Sequence, residues 1–337
     1  MTIHIGLIGG GNITETHARA AAAIPGVEVV AFYGANPQKI EQLSRQFGGQ
    51  AYTGLNSFLT HPTLDMVIIG SPSGLHSEQG MAAAQRGLHV LVEKPIDITT
   101  SRADALIGEC ERAGVKLGVI FQDRLRPGIR QLKQLIVDGR LGKLLLADAR
   151  VKWYRSPEYY SGSRWRGTWQ LDGGGALMNQ GVHTVDLLLW LLGDVTTVQA
   201  RTGALLHSIQ TEDTAIALLE FSNGALGVLQ ATTAAYPGYA RRLEITGTEG
   251  TVILENDLLI TTGLRNAQHD VLANQALDQN ASAASPLVDD IRGHQRVIED
   301  FIEAIQSNGM SACDGHEGRR SVALIERIYA ASEKAHG

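Results

Sequence analysis

Ile3-His4-Ile5-Gly6-Leu7-Ile8-Gly9-Gly10-Gly11-Asn12-Ile13-Thr14-Glu15 is the stretch that decides the fold. An apolar run with strand character ends in three glycines, and a run of helix formers follows. Gly9 and Gly11 meet the pattern G-x-G-x-x-[G/A], with Thr14 in the third place. Gly9 permits the tight turn, and Gly11 lets the backbone approach a pyrophosphate at a helix N-terminus. Such a motif alone is weak evidence, but a strand before it and a helix and strand after it make it strong. The expectation is a dinucleotide held at Gly9, Gly11, Asn12 and Ile13. Asn12 followed by Glu15 also reads as an N-cap pattern.

The second strand should end in a carboxylate if the cofactor is NAD, because that group bonds the ribose hydroxyls. Gly34 stands there instead, in Tyr33-Gly34-Ala35-Asn36-Pro37-Gln38-Lys39. No acid is present to repel a 2′-phosphate, and Lys39 is near enough to attract one. The expected cofactor is therefore NADP or NAD, tilted towards NADP.

Working outward, strand-like runs at Ile3–Ile8, Val27–Tyr33, Met66–Ile69, His89–Val92 and Lys116–Phe121 alternate with helix-like stretches. That alternation predicts a doubly wound parallel sheet with helices on both faces. After Phe121 the pattern changes. Pro127–Asp138 reads as a helix, Lys143–Trp153 as a strand, and Ala176–Leu192 as one buried, leucine-rich helix. From Thr197 to Glu255 strands follow at short spacing, and Ser222-Asn223-Gly224 signals a hairpin. The expected fold is α/β: a Rossmann domain over 1–122, then an α+β domain over 123–337 with an open, mostly antiparallel sheet. Residues 265–287 are polar and without period and read as a loop. Two helices, His294–Gln306 and Arg319–Lys334, close the chain.

Composition bounds the function class. The 337 residues carry 29 basic and 35 acidic side chains, a net charge of −6. A general nucleic-acid binder is usually strongly basic, so none is expected as a partner. Cys110 and Cys313 lie outside any CxxC pattern, so neither a disulfide framework nor a metal site is expected. No signal-peptide pattern and no apolar run near ~18 residues is present, which predicts a cytoplasmic protein away from membranes.

Four stretches together carry a resemblance. They are Ile8-Gly9-Gly10-Gly11-Asn12-Ile13, Ser71-Pro72-Ser73-Gly74-Leu75-His76, Glu93-Lys94-Pro95, and Gly173-Gly174-Gly175-Ala176-Leu177-Met178-Asn179-Gln180-Gly181-Val182-His183-Thr184-Val185-Asp186. In this order they resemble the Gfo/Idh/MocA oxidoreductases, from the first strand almost to the C-terminus. The aromatic stretch before the triple glycine resembles the branch containing UDP-N-acetylglucosaminuronate 3-dehydrogenases. The resemblance implies NAD(P)-linked oxidation or reduction of a sugar, cyclitol or nucleotide sugar, in a homodimer or homotetramer built on the second sheet. It implies cofactor contacts at Ser71, Pro72, His76, Glu93 and Lys94. The catalytic lysine falls on Lys94, before a proline that is often cis, and the catalytic histidine on His183. The family's aspartate one turn earlier falls on Asn179, which cannot ionise but can bond a substrate hydroxyl.

The residues support that chemistry by themselves. Lys94 ends a predicted central strand, where ligands bind in open α/β sheets, and a cation there stabilises a developing alkoxide. Asn179, His183 and Asp186 at i, i+4 and i+7 would share a helix face, with His183 suited to general-base work. Asp186 reads as a structural partner. The triple glycine reads as backbone that approaches a ligand closely. Trp153–Trp169 holds six of the chain's aromatic residues, interleaved with Arg155, Arg164 and Arg166. Aromatic faces stack on sugars and arginines grip anions, so Tyr154, Arg155, Trp165 and Arg166 join Lys94, Asn179 and His183 as substrate candidates. The alternative for this loop is a subunit interface. Arg124, just after the last Rossmann strand, is a further substrate candidate. Competing readings are a glycosidase that uses transient oxidation by bound cofactor, and a non-catalytic NADP sensor. Retention of Lys94 and His183 argues against the sensor.

Overall fold

The structure is a computed structural model describing residues 2–265 and 290–334. The chain divides into two compact units at Gln122/Asp123 and again at Val322/Ala323.

The first unit is built on a six-stranded sheet in the order β3-β2-β1-β4-β5-β6. Its strands are β1 (Ile3–Ile8), β2 (Val27–Tyr33), β3 (Gln50–Tyr52), β4 (Met66–Ile69), β5 (His89–Val92) and β6 (Leu117–Val119). All neighbours pair in parallel. The intervening helices are α1 (Asn12–Ala22), α2 (Pro37–Phe47), α3 (Leu55–Leu59), α4 (His76–Ala84) and α5 (Thr100–Ala113). Met66, Val67, Ile68 and Ile69 are fully buried, as expected of a strand covered on both faces. The sheet order reverses between β1 and β4, where such sheets bind ligands at the strands' carboxyl ends.

Sequence pattern alone did not mark β3 or α3, which are only three and five residues long. The sequence reading also left 290–322 with the second domain. The structure groups it with the first, because α9 (Arg292–Gln306) packs on α1 through the His294 and His17 rings, 5.4 Å apart.

The second unit carries a seven-stranded sheet in the order β13-β12-β11-β7-β10-β9-β8. Its strands are β7 (Leu144–Lys152), β8 (Val195–Gly203), β9 (Thr214–Phe221), β10 (Leu226–Thr232), β11 (Arg242–Gly247), β12 (Gly250–Glu255) and β13 (Leu258–Leu264). Every pairing is antiparallel except β7 with β10. Along β9 the period of two is clean: Ala215, Ala217, Leu219 and Phe221 point in, while Ile216, Leu218 and Glu220 point out. The helices are α6 (Pro127–Val137), α7 (Pro157–Ser161) and α8 (Val182–Leu192). A final helix, α10 (Gly315–Lys334), spans the Val322/Ala323 division. The expected single helix Ala176–Leu192 is instead a π-turn over Ala176–Gly181 followed by α8. Apart from Arg265, the period-free stretch 265–287 lies outside the described residues. Among the described residues no helix is long and apolar enough to cross a membrane.

Candidate functional site

In the first unit the glycine turn sits at the switch point. Gly9 donates its N–H to Tyr33 O at 2.7 Å, and Gly70, just beyond β4, donates to Ile8 O at 2.8 Å. Gly9 adopts φ 130, and a Cβ on it would lie 2.6 Å from Thr14 Oγ1 and 2.7 Å from Gly70 O. No other residue fits there. A Cβ on Gly11 would meet nothing within 4 Å, so the space beside the helix start is open. Gly11, not Asn12, is the N-cap; no side chain caps α1, and Asn12 is its first helical residue. The first N–H groups of α1, including those of Asn12 and Ile13, thus have no side-chain cap. These features fit a dinucleotide pyrophosphate.

Gly34 is glycine for a reason sequence reading did not find. A Cβ there would lie 2.8 Å from Ile40 Cδ1 and 3.1 Å from the Gly9 carbonyl. The end of β2 thus approaches the glycine turn closely at this position. Lys39 is exposed, and its Cβ lies 3.8 Å from where a Gly10 Cβ would stand.

Ser71, Pro72 and His76 follow β4. Ser71 Oγ donates to Gln79 Oε1 at 2.6 Å. Pro72 precedes the 3-10 turn Ser73–Leu75. His76 is buried, with Nδ1 at 2.9 Å from Pro95 O and Nε2 at 2.9 Å from Ser71 O. Burial lowers its pKa against the two backbone carbonyls, which raise it, and the ring joins the two loops. Lys94 is half-buried just past the end of β5, and the Lys94–Pro95 peptide is cis.

Glu93 departs from its expected place at the cofactor. It is buried, and its carboxylate turns towards His17 Nε2 at 2.9 Å and His294 Nε2 at 3.6 Å. Burial pushes the carboxyl up, but the hydrogen bonds from both imidazoles outweigh it and hold the group well below its ordinary range. His17 is lowered by its own burial. The three ligand-type atoms lie within 4.8 Å of one another. With a hydrogen bond already joining Glu93 to His17, the trio acts as a pin between α1, α9 and the strand end that carries Lys94.

In the second unit the helix-face reading needs correction. His183 and Asp186, on α8, face the 3-10 turn Gln122–Leu125. His183 Nδ1 lies 3.6 Å from Asp123 Oδ2. Arg124 is buried and grips Asp186 with Nε at 2.8 Å and Nη2 at 2.6 Å, under the Trp190 ring. Arg124 is thus a structural partner, not a substrate arginine. Asn179, in the π-turn, looks elsewhere: its Nδ2 donates to Asp172 Oδ1 at 2.6 Å, and its Oδ1 accepts from Gln180 at 3.0 Å. The π-turn breaks the i, i+4 relation to His183, as such turns do at functional sites. Asp172 sets a carboxylate beside the position where the resemblance expects one.

The triple glycine also answers to protein rather than to a ligand. A Cβ on Gly174 would lie 2.2 Å from Tyr329 Oη, and one on Gly175 would lie 1.8 Å from Glu212 O. Glu212 accepts from Gly175 N at 3.0 Å, from Leu177 N at 2.8 Å and from the Tyr329 hydroxyl at 3.0 Å. Burial raises this carboxyl to about 7 against those bonds.

Sequence reasoning missed Asp123, Asp172 and Glu212. Asp123 also binds Arg241 Nη2 at 2.7 Å and Arg126 Nε at 3.2 Å. Burial pushes it up, but the charges of Arg241, His183 and Arg126 hold it far below the usual carboxylate range. In the aromatic segment, Arg155 lies over Trp153 and Tyr159, and Arg166 over Tyr159 and Trp165. The Tyr154 ring meets Tyr236 edge-on at 5.1 Å.

Residues 3–121 match the family described as "Oxidoreductase family, NAD-binding Rossmann fold", and residues 129–253 match "GFO/IDH/MocA C-terminal domain". The WlbA dehydrogenase from Bordetella pertussis, solved with NADH and UDP-GlcNAcA, is 31% identical. It superposes with a TM-score of 0.89 over 99% of this chain and 96% of that one. A levoglucosan dehydrogenase solved with NADH and levoglucosan is 25% identical, with a TM-score of 0.87 over 99% and 98%. Inositol 2-dehydrogenase of Rhizobium meliloti is 25% identical over 340 residues, covering 97% of this chain and 96% of that protein.

Proposed function

The chain belongs to the GFO/IDH/MocA oxidoreductases, and from that premise we propose how its own residues carry hydride transfer between a nicotinamide cofactor and a secondary alcohol of a sugar, cyclitol or nucleotide sugar. The observation that carries the reading is the uncapped glycine turn at the β1–β4 switch point, with Lys94 at the carboxyl end of the neighbouring strand β5. The nicotinamide ring, when bound, supplies the hydride acceptor. Gly9, Gly11, Asn12 and Ile13 hold the pyrophosphate, while Lys39 stands beside the ribose end. Ser71 and Pro72 line the adjoining loop. The Lys94 ammonium stabilises negative charge on the substrate oxygen as hydride leaves carbon. His183 takes the hydroxyl proton, and Asp123 orients its ring, in the arrangement of a base held by a third group. Asn179, fixed by Asp172, offers a hydroxyl contact. Tyr154, Arg155, Trp165 and Arg166 belong to the substrate region.

The assembly is a homodimer or homotetramer through the second sheet. Its outer face leaves Ile216, Leu218, Leu226, Leu145 and Leu146 between 44% and 57% exposed. Apolar area of this extent on one face is characteristic of an interface. Two buried free thiols, Cys110 and Cys313, fit a cytoplasmic, reducing setting.

A panel of sugars, cyclitols and nucleotide sugars, followed by nicotinamide absorbance with each cofactor, tests the reaction. The expected result is net cofactor reduction in step with ketone formed. Bond hydrolysis with no net reduction would contradict it.

A further inference from the structure

Four side chains of the second unit meet head to tail. Arg155 Nη2 donates to Gln180 Oε1 at 3.1 Å, and Gln180 Nε2 donates to Asn179 Oδ1 at 3.0 Å. Asn179 Nδ2 in turn donates to Asp172 Oδ1 at 2.6 Å. The row runs from a guanidinium, through two amides, to a carboxylate, and every step donates in the same direction. Both ends are buried: Arg155 is 7% exposed and Asp172 1%. The two amides are neighbours in the π-turn Ala176–Gly181, and Asp172 stands just before the triple glycine.

Neither amide can be turned round. A guanidinium donates and never accepts, whereas a carboxylate accepts and never donates. Arg155 thus requires an oxygen from Gln180, Asp172 requires an N–H from Asn179, and the two amides are left to meet N–H to oxygen. The spare positions are committed as well. Gln180 Nε2 also donates to the Tyr159 hydroxyl at 3.0 Å, and Asp172 Oδ2 accepts from Gly167 N at 2.8 Å. Opposite charges at the two ends polarise both amides in one sense, which strengthens each bond of the row.

We infer that Asp172 and Gln180 are positioning residues, which through this relay hold the Asn179 amide in the single orientation in which it meets the substrate hydroxyl. The inference rests on the proposed reaction and adds two residues to it. It also accounts for an amide at position 179 from this chain's own neighbours. An acid there would set two carboxylates at the 2.6 Å contact with no N–H between them, and like charges so close cannot both stay ionised.

The test exchanges acid and amide, singly and together. In Asp172→Asn one amide oxygen must serve two donors, Asn179 Nδ2 and Gly167 N. In Asn179→Asp two carboxylates face each other. In the double exchange the amide at 172 gives its N–H to the acid at 179 and its oxygen to Gly167 N, and that acid still accepts from Gln180. Thermal unfolding is measured on all three, with NADH affinity and with KM and kcat for whichever sugar, cyclitol or nucleotide sugar the parent oxidises fastest. Each single exchange is expected to lower the unfolding midpoint by at least about 2 °C. Each is also expected to raise KM for the sugar about tenfold, the cost of one misdirected buried hydrogen bond, and to leave NADH affinity unchanged. The double exchange is expected to recover most of both losses. Gln180→Met, which keeps both end charges and removes the link, should raise KM for the sugar as well. Losses that simply add in the double exchange would overturn the relay. A coupled unfolding cycle with KM for the sugar unmoved in every variant would overturn the positioning role and leave the reaction standing. Unfolding needs no substrate, so a parent that oxidises no panel member sinks the reaction while the cycle still decides the relay.

Discussion

The Asp123 carboxylate lies 3.6 Å from Nδ1 of His183 and also holds Arg241 Nη2 at 2.7 Å. One acidic residue thus links the candidate base to a buried charge network that continues to Asp257 and Arg126. A carboxylate behind an imidazole fixes the ring and favours its protonated form.

Asp123→Asn should therefore lower turnover on the order of 10²-fold, the low end of what a positioned acid–base group contributes. The pH limb on which the oxidation rate depends should move to lower pH, since the removed charge favoured imidazolium. KM for the cofactor should not change. Steady-state kinetics across pH decide this; an unmoved limb and an unchanged turnover would leave Asp123 a purely structural residue.

Glu212 makes a prediction about stability. Its carboxyl is raised to about 7 by burial, above its usual unfolded value of ~4.3. Between those values the folded state binds more protons than the unfolded one, so stability falls as pH rises through that window. Thermal unfolding from pH 4 to 8 should show this decline in the parent and a flatter profile in Glu212→Gln. Identical slopes would contradict it.

These two acids also mark where the sequence was readable and where it was not. Strands β1, β2, β4 and β5, the glycine turn and the Lys94 position follow from local pattern, because apolar periodicity and backbone sterics act within a few residues. Asp123 and Glu212 meet their partners across 60 and 35 positions respectively, a tertiary relation no local period encodes. Ala176–Gly181 reads as α-helix because its composition suits one. Its π geometry accompanies Glu212, which takes the amides of Gly175 and Leu177. Arg124 looked available for substrate only because Asp186, its buried partner, is 62 residues away.

Cofactor preference should follow Gly34 and Lys39. Fluorescence titration should give NADPH an affinity equal to or better than that of NADH, and Lys39→Ala should weaken NADPH selectively. NADH binding more than tenfold tighter, with NADPH indifferent to Lys39→Ala, would refute this reading.

The outer face of the second sheet should be the subunit contact. Leu218, 51% exposed, lies beside a groove of about 750 Å³ lined by Val198, Ala200, Ile216 and Arg327. Light scattering at micromolar concentration should find a dimer or tetramer in the parent and a smaller species in Leu218→Asp. A monomeric parent would sink the idea.

The central claim is that Lys94 and His183 act on the reacting hydroxyl rather than on the cofactor's pyrophosphate. Single-turnover and steady-state rates of Lys94→Ala and His183→Ala, with cofactor affinity measured on the same samples, test it most directly. The account predicts nearly intact cofactor binding in His183→Ala and a turnover lowered by ~10²–10⁴, with Lys94→Ala at least as damaging. Turnover of a genuine substrate at the parent rate by both variants would contradict it.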